Sequence, residues 1–263
     1  MNQSKLFKFK PTKEIFVVLT SWVMVVSAFY LAFNVITIER VALNFITFGI
    51  VGIILFGVSV PVIWTVLIKK RPLSELGIKR DEIVLSLILG IILSIIQYYL
   101  TINNIEIPVV KELIPLMTMA IAVGFYENIF YRGWVQLRME EYFGIIPGIA
   151  LSAVIYSIYH IGYGMPINEI ITLFIVGLVY SVIFRLTSNI FILFPFLTPT
   201  GALFTQINDG LRIPFEAIYG FCDVIVLIII GLVLVNRLYM KKSIVILPQV
   251  LEYFIIKNDG GTI

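Results

Sequence analysis

Gly124-Phe125-Tyr126-Glu127-Asn128-Ile129-Phe130-Tyr131-Arg132-Gly133-Trp134 closes an apolar run over residues 113–134. One helix of roughly 20 apolar residues crosses the ~30 Å hydrocarbon core of a bilayer, so this run is long enough to span it. Yet the run holds a carboxylate and a guanidinium. Ionisable groups within a spanning helix are costly and are kept where they face a partner or a cavity. The stretch therefore predicts a membrane helix that carries a functional site.

The composition extends this reading to the whole chain. Of 263 residues, 60% are hydrophobic and 13% charged, with mean hydropathy +1.03. A soluble domain averages about 45–50% apolar and about 25% charged. Too little charge remains to cover a soluble globule, which excludes soluble enzymes, nucleic-acid binders and disordered chains. The net charge of +3 is too small to imply a polyanionic partner. Apolar segments recur at 15–36, 41–68, 83–102, 113–134, 145–160, 167–184, 190–203 and 218–238. The predicted fold is an all-α integral membrane protein of about eight transmembrane helices, with 145–160 and 190–203 the shortest. A further apolar piece at 244–256, interrupted by Pro248 and carrying Glu252, is expected to lie at the interface or to re-enter the membrane.

Basic residues concentrate on the cytoplasmic side of a membrane. With the N-terminus inside, 16 of the 19 Lys and Arg residues fall on that side, leaving Arg40, Lys111 and Arg212 outside. Both termini are therefore expected in the cytoplasm. The four lysines before the first segment resemble a signal peptide, but the apolar run is too long and lacks a small-residue cleavage site, so a retained helix is expected. No repeat, phosphate loop or second domain is evident, and residues 1–263 read as a single polytopic membrane domain. The single cysteine, Cys222, forms no intramolecular disulfide and reads as a small apolar residue at a helix start.

Glu127 and the only histidine, His160, are related by position. Their midpoint falls at Phe143-Gly144, after the charged residues Arg138, Glu140 and Glu141. If the chain turns there, the two side chains lie about 16 residues up neighbouring antiparallel helices, roughly 25 Å from the turn at ~1.5 Å per residue. A carboxylate and an imidazole meeting in a low-dielectric pocket suit general acid–base chemistry, such as activation of water against a peptide carbonyl. A buried pair that only locks helices together fits the same spacing. Arg132 reads as site support, pairing with Glu127 or reaching towards the headgroups.

These residues resemble a family. Glu127-Asn128-Ile129-Phe130-Tyr131-Arg132-Gly133 is similar to the first motif, Glu-Glu-x-x-x-Arg, of the CAAX protease and bacteriocin-processing (CPBP, or Abi) intramembrane proteases. Tyr156-Ser157-Ile158-Tyr159-His160 resembles their second motif, Phe-x-x-x-His. Glu75-Leu76-Gly77-Ile78 resembles a Glu-Leu-Gly signature upstream, and the stretch from Gly177 through Asn189 resembles the approach to the third motif. The resemblance covers roughly residues 73–208, the expected catalytic core. It implies that Glu127, helped by His160, activates the attacking water, with Arg132 and Asn128 supporting the site.

The chain departs from the family pattern in two places. Asn128 stands where the second Glu is usual. The third motif should supply a His and, four residues on, an Asn resembling an oxyanion hole, but the chain has no second His; Thr198, Thr200 and Asn208 are the polar groups offered instead. A catalytic zinc commonly takes three protein ligands, and here His160 and Glu127 have no third, so a metal-free glutamic-type mechanism without cofactor is expected.

The expected activity is hydrolysis of membrane-associated, prenylated or precursor peptides by an endopeptidase of a bacterial plasma membrane, whose partners are a peptide or protein substrate and the lipid bilayer. The alternative is a catalytically weakened relative that acts by binding, as in bacteriocin immunity. Among lesser features, Trp64, Trp134, Tyr98 and Tyr99 read as interface anchors, Asn44, Gln97 and Asn128 as helix–helix hydrogen-bonding residues, and Asp209 and Asp223 as solvated helix ends.

Overall fold

The apolar segments become helices because a backbone in hydrocarbon must satisfy its own N–H and C=O groups. The computed structural model describes residues 6–37 and 40–258, with side chains through 241. Among the described residues all regular structure is helical. Seven helices are long and apolar enough to cross a membrane: α1 Glu14–Val35, α2 Val41–Ile68, α3 Ile83–Asn104, α4 Val110–Phe143, α5 Ile145–Tyr163, α6 Ile167–Thr187 and the Ala217–Lys241 part of a longer helix. The chain is thus a multi-pass integral membrane protein. Between α6 and that last helix lies α7, Leu197–Asn208, and the last is α8, Ala217–Asn258.

The expected segment 190–203 is not one straight span. It is split into a short turn, Ile190–Ile192, a bend, and α7. It still joins the two ends of the bundle. At one end Asn189 donates to the carbonyls of Lys79 and Asp81; at the other, Asp209 and Leu211 share a cavity with Tyr163 and Pro166 of the α5–α6 connection. The piece at 244–256 is a continuation of α8, whose backbone stays helical through Pro248 to Asn258.

The positively charged ends of the chain segments are gathered at one face. Lys8 and Lys10 backbone amides donate to Phe143 and Tyr142 carbonyls, both at 2.8 Å. Arg71 reaches Glu141 at 3.1 Å, Arg138 reaches Glu75 at 3.0 Å, and Arg185 reaches Glu140 at 3.3 Å. The N-terminal segment and the α2–α3, α4–α5 and α6–α7 connections therefore share one end, as the charge pattern requires. Of that expected cluster, Lys5 and the side chains of Lys242 and Lys257 lie outside the described residues.

The core is built around α4. Most of its apolar window is buried, 72%, against 11% for α3. It packs on α5, α7, α8 and α2, while α5 packs on α6 and α1 on α2. Close approach is set at Gly133, where an added Cβ would lie 2.2 Å from the Leu76 carbonyl oxygen. That contact seats the Glu75-Leu76-Gly77 turn on α4. Trp134, expected at the membrane interface, is instead fully buried in this core. Trp64 does sit by the charged end, beneath the Lys69 ammonium and donating to Glu14.

Candidate functional site

Helix α4 ends at Phe143, Gly144 takes φ +91°, and α5 begins at Ile145, so the hairpin turns where the sequence arithmetic puts it. A residue with a Cβ rarely adopts that backbone conformation, and here it would also meet the Leu6 carbonyl at 2.7 Å. The turn brings Glu127 and His160 to the wall of one cavity. Each is only 6% exposed.

Glu127 Oε1 accepts a hydrogen bond from the Tyr159 hydroxyl. Among the described residues Glu127 is in no ion pair, although Arg132 lines a small space beside it, and its carboxylate contributes to the cavity wall. His160 Nδ1 lies 3.0 Å from the Tyr156 carbonyl and 3.3 Å from that of Ser157. A carbonyl oxygen only accepts, so Nδ1 carries the proton and the neutral ring keeps its Nε2 lone pair. Two acceptors, a carboxylate and an imidazole nitrogen, are thus presented to the same space.

Arg132 neither pairs with Glu127 nor reaches the headgroups. It is 2% exposed, donates to Ser181 at 2.6 Å and lies over the Tyr156 ring at 4.7 Å. It belongs to a stripe spaced four apart on α4. Asn128 bonds α7 through Thr198, Arg132 and Gln136 bond Ser181 of α6, and Glu140 pairs with Arg185 of α6. Asn128 is therefore a helix–helix linker, its Nδ2 donating to the Gly124 carbonyl at 2.7 Å and to Thr198 at 3.1 Å.

Of the three polar groups offered for the third motif, one reaches the site. Thr198 is buried and lines the cavity with Glu127. Its Oγ1 accepts from Asn128, which leaves its own hydrogen to donate. Thr200 instead bonds Ser94 of α3 at 2.8 Å and the Phe196 carbonyl at 2.8 Å. Asn208 is exposed at the end of α7, away from the cavity lining. The face of α7 that meets the cavity runs Thr198, Gly201, Ala202, Thr205 and Gln206, the spacing of one helical stripe.

Nothing in the residue pattern singles out Tyr159, Tyr180 or Gln206. All three line the cavity. Tyrosine is common in apolar helices, and only the fold shows which hydroxyl finds a carboxylate. Gln97, read as a helix-linking residue, lies 2.9 Å from the Tyr180 hydroxyl and, with its amide in the orientation that satisfies both ends, also joins the Leu197 carbonyl and the Gly201 amide of α7.

The cavity has a volume of about 530 Å³, within the range of small-molecule and peptide sites. It is mostly apolar, with Met119, Val123, Leu173 and Val176 among its walls. Among the described residues no three His, Cys, Asp or Glu side chains form a group able to hold a metal ion.

Residues 109–196 match the Rce1-like family. The family is described as type II CAAX prenyl endopeptidase Rce1-like. The resemblance drawn from the motifs therefore stands over this segment, which is 88 of the 263 residues. The Rce1-like match runs from the start of α4 to the residue before α7, and so includes Glu127 and His160 and stops short of Thr198. The family implies a CAAX-type intramembrane protease, a hydrolase of peptide bonds. No curated protein and no solved structure matches the chain.

Proposed function

We propose that the protein is an intramembrane endopeptidase in which Glu127 is the general base and His160 its partner. The observation that carries this is a buried carboxylate in no ion pair, oriented by the Tyr159 hydroxyl and sharing a cavity wall with a histidine whose Nδ1 is held by backbone carbonyls. Water bound between the carboxylate and Nε2 loses a proton to Glu127 as its oxygen attacks the carbonyl carbon of the substrate. The proton then passes to the departing amine as the C–N bond breaks. Charge that develops on the carbonyl oxygen needs a donor, and the free hydroxyl hydrogen of Thr198 is one group on the wall with that capacity. Asn128 supports it by fixing the Thr198 oxygen, and Arg132 by anchoring α4 to α6. No metal or cofactor enters this scheme.

The reading treats residues 1–263 as one membrane domain with its core over about 73–208, since the Glu75-Leu76-Gly77 turn and α7 both dock on α4. It places both termini in the cytoplasm of a bacterial plasma membrane. The substrates are membrane-associated, prenylated or precursor peptides.

A second reading, binding or immunity without turnover, has one observation in its favour. Thr198 and Ala202 are four apart on the cavity face of α7, the spacing at which the family resemblance calls for His and Asn. Losing one oxyanion donor costs about 10²–10³ in rate, and alanine donates nothing.

Purified protein incubated with a peptide library that includes prenylated C-terminal peptides separates the two. Cleavage by wild type that falls ~10²–10⁴-fold in Glu127→Gln and in His160→Ala is the expected outcome. Folded wild type that cleaves nothing, in a cell whose phenotype Glu127→Gln still supports, selects the binding role.

A further inference from the structure

The cavity has a polarity that the hydrolytic scheme does not use. Glu127 lies deep in it, and two more carboxylates, Glu169 at the start of α6 and Asp209 just after α7, line it at the end opposite the arginine-rich face. No Lys or Arg is among the lining residues. Neither Glu169 nor Asp209 is in an ion pair among the described residues, whereas Glu75, Glu140 and Glu141 at the other face are held by arginines. Between these carboxylates and Glu127 the walls are mostly apolar. Gln206 adds an amide there that is nine-tenths buried, makes no side-chain hydrogen bond among the described residues, and leaves its Oε1 without a partner. A ligand that fills this space needs an apolar body, a hydrogen-bonding backbone and positive charge at its outer end.

We infer that the site takes a cationic peptide segment, an apolar stretch seated against Met119, Val123 and Leu173 with basic side chains meeting Glu169 and Asp209 at the mouth. The inference rests on the peptidase reading for what happens to the bound peptide, but not for the binding itself. A lipid is the poorer occupant, because two carboxylates at the mouth repel the anionic headgroups that a membrane offers. They also disfavour a free C-terminal carboxylate near the rim. Basic residues therefore flank the bond to be cut on the side nearer the mouth.

The test uses the full chain in neutral detergent with the Glu127→Gln substitution, so that binding is read without turnover. Three amidated, N-acetylated probes share the body Ala-Ile-Leu-Val-Leu-Ala and end in three lysines, three glutamines or three glutamates, and a second set carries the same triplets at the other end. Competition against a rhodamine-labelled lysine peptide gives each affinity. The lysine probe is expected to bind roughly 3- to 10-fold more tightly than the glutamine probe and the glutamate probe more weakly than either, as two partly exposed charge pairs allow. The preference should shrink as salt rises. Glu169→Gln with Asp209→Asn is expected to bring the lysine-to-glutamine ratio to within two-fold, with the thermal midpoint showing that the variant is folded. Equal affinities for the three probes, a preference that survives the double substitution, or a tightly copurifying lipid that no probe displaces would each overturn the inference. Selective binding without cleavage by the wild type would retain it and reject the peptidase reading, so the two fail separately.

Discussion

Two carboxylate-bearing regions of α4 lie ~20 Å apart along one helix and are built in opposite ways. At the charged end Glu141 receives Arg71 and Arg138, and Glu140 receives Arg185. In the middle Glu127 receives a tyrosine hydroxyl and faces a cavity. A carboxylate held by guanidinium donors ties elements together. One with a single neutral donor is oriented but still available as a base. In the proposed mechanism the same residue type thus serves assembly at one end and chemistry at the other, and the partner decides which.

The contrast is broken most sharply by removing charge from each region. Glu127→Gln should lower turnover ~10²–10⁴-fold with the thermal midpoint unchanged or raised, since it removes an unpaired buried charge. Glu141→Gln should leave turnover within about three-fold, its effect confined to the pairs with Arg71 and Arg138 at the charged end. Equal losses of turnover in the two variants would end the distinction between them. Next in size is Gly133→Ala. Its Cβ would come 2.2 Å from the Leu76 carbonyl oxygen, with backbone on both sides, so α4 and the Glu75-Leu76-Gly77 turn must part. A loss of about 1–3 kcal/mol is expected, read as a lower thermal midpoint in detergent.

Arg138→Leu sharpens the description of the charged end. The guanidinium is 3% exposed and bonds both Glu75 and Glu141, so its loss should cost about 1–3 kcal/mol of stability, with kcat retained in the protein that stays folded. Were kcat to fall as far as in Glu127→Gln, the two ends could not be treated as separate. The smallest effect expected is that of Tyr159→Phe. It removes one hydrogen bond to the carboxylate, worth about 1–1.5 kcal/mol, and should lower kcat roughly 10-fold with KM nearly unchanged. Full activity in this variant would show that the hydroxyl does not orient Glu127.

Much of this was legible in the chain. Residues 127 and 160 could be matched across a turn at 143–144 because a hairpin of two straight helices has fixed rise per residue. Arg132 could be counted but not placed, since a long side chain reaches several partners, and it found Ser181 rather than Glu127 or the headgroups. Trp134 misled for a related reason. Its type favours an interface, but a helix surrounded on all sides by others buries whatever it carries. Thr198 and Thr200 are equivalent in sequence, and the break at residues 193–196 removes the helical phase that would tell them apart. Only the packing of α7 on α4 and α3 turns one to Asn128 and the cavity and the other to Ser94.

The sequence alone determined the class of the protein, the position of its apolar segments, the end at which its positive charge gathers and the two residues on which the proposed mechanism rests. These follow from terms that sum residue by residue, transfer from water to hydrocarbon and the bias of Lys and Arg, together with a helix rise that is the same everywhere. The tertiary structure alone decided that Tyr159 bonds Glu127, that Thr198 rather than Thr200 faces the cavity, that Arg132 is turned to α6, and that Glu169 and Asp209 stand at its mouth. Those depend on how each helix is rotated about its axis. Rotation is fixed by contacts between residues far apart in the chain, as between Asn128 and Thr198, and no local pattern records it.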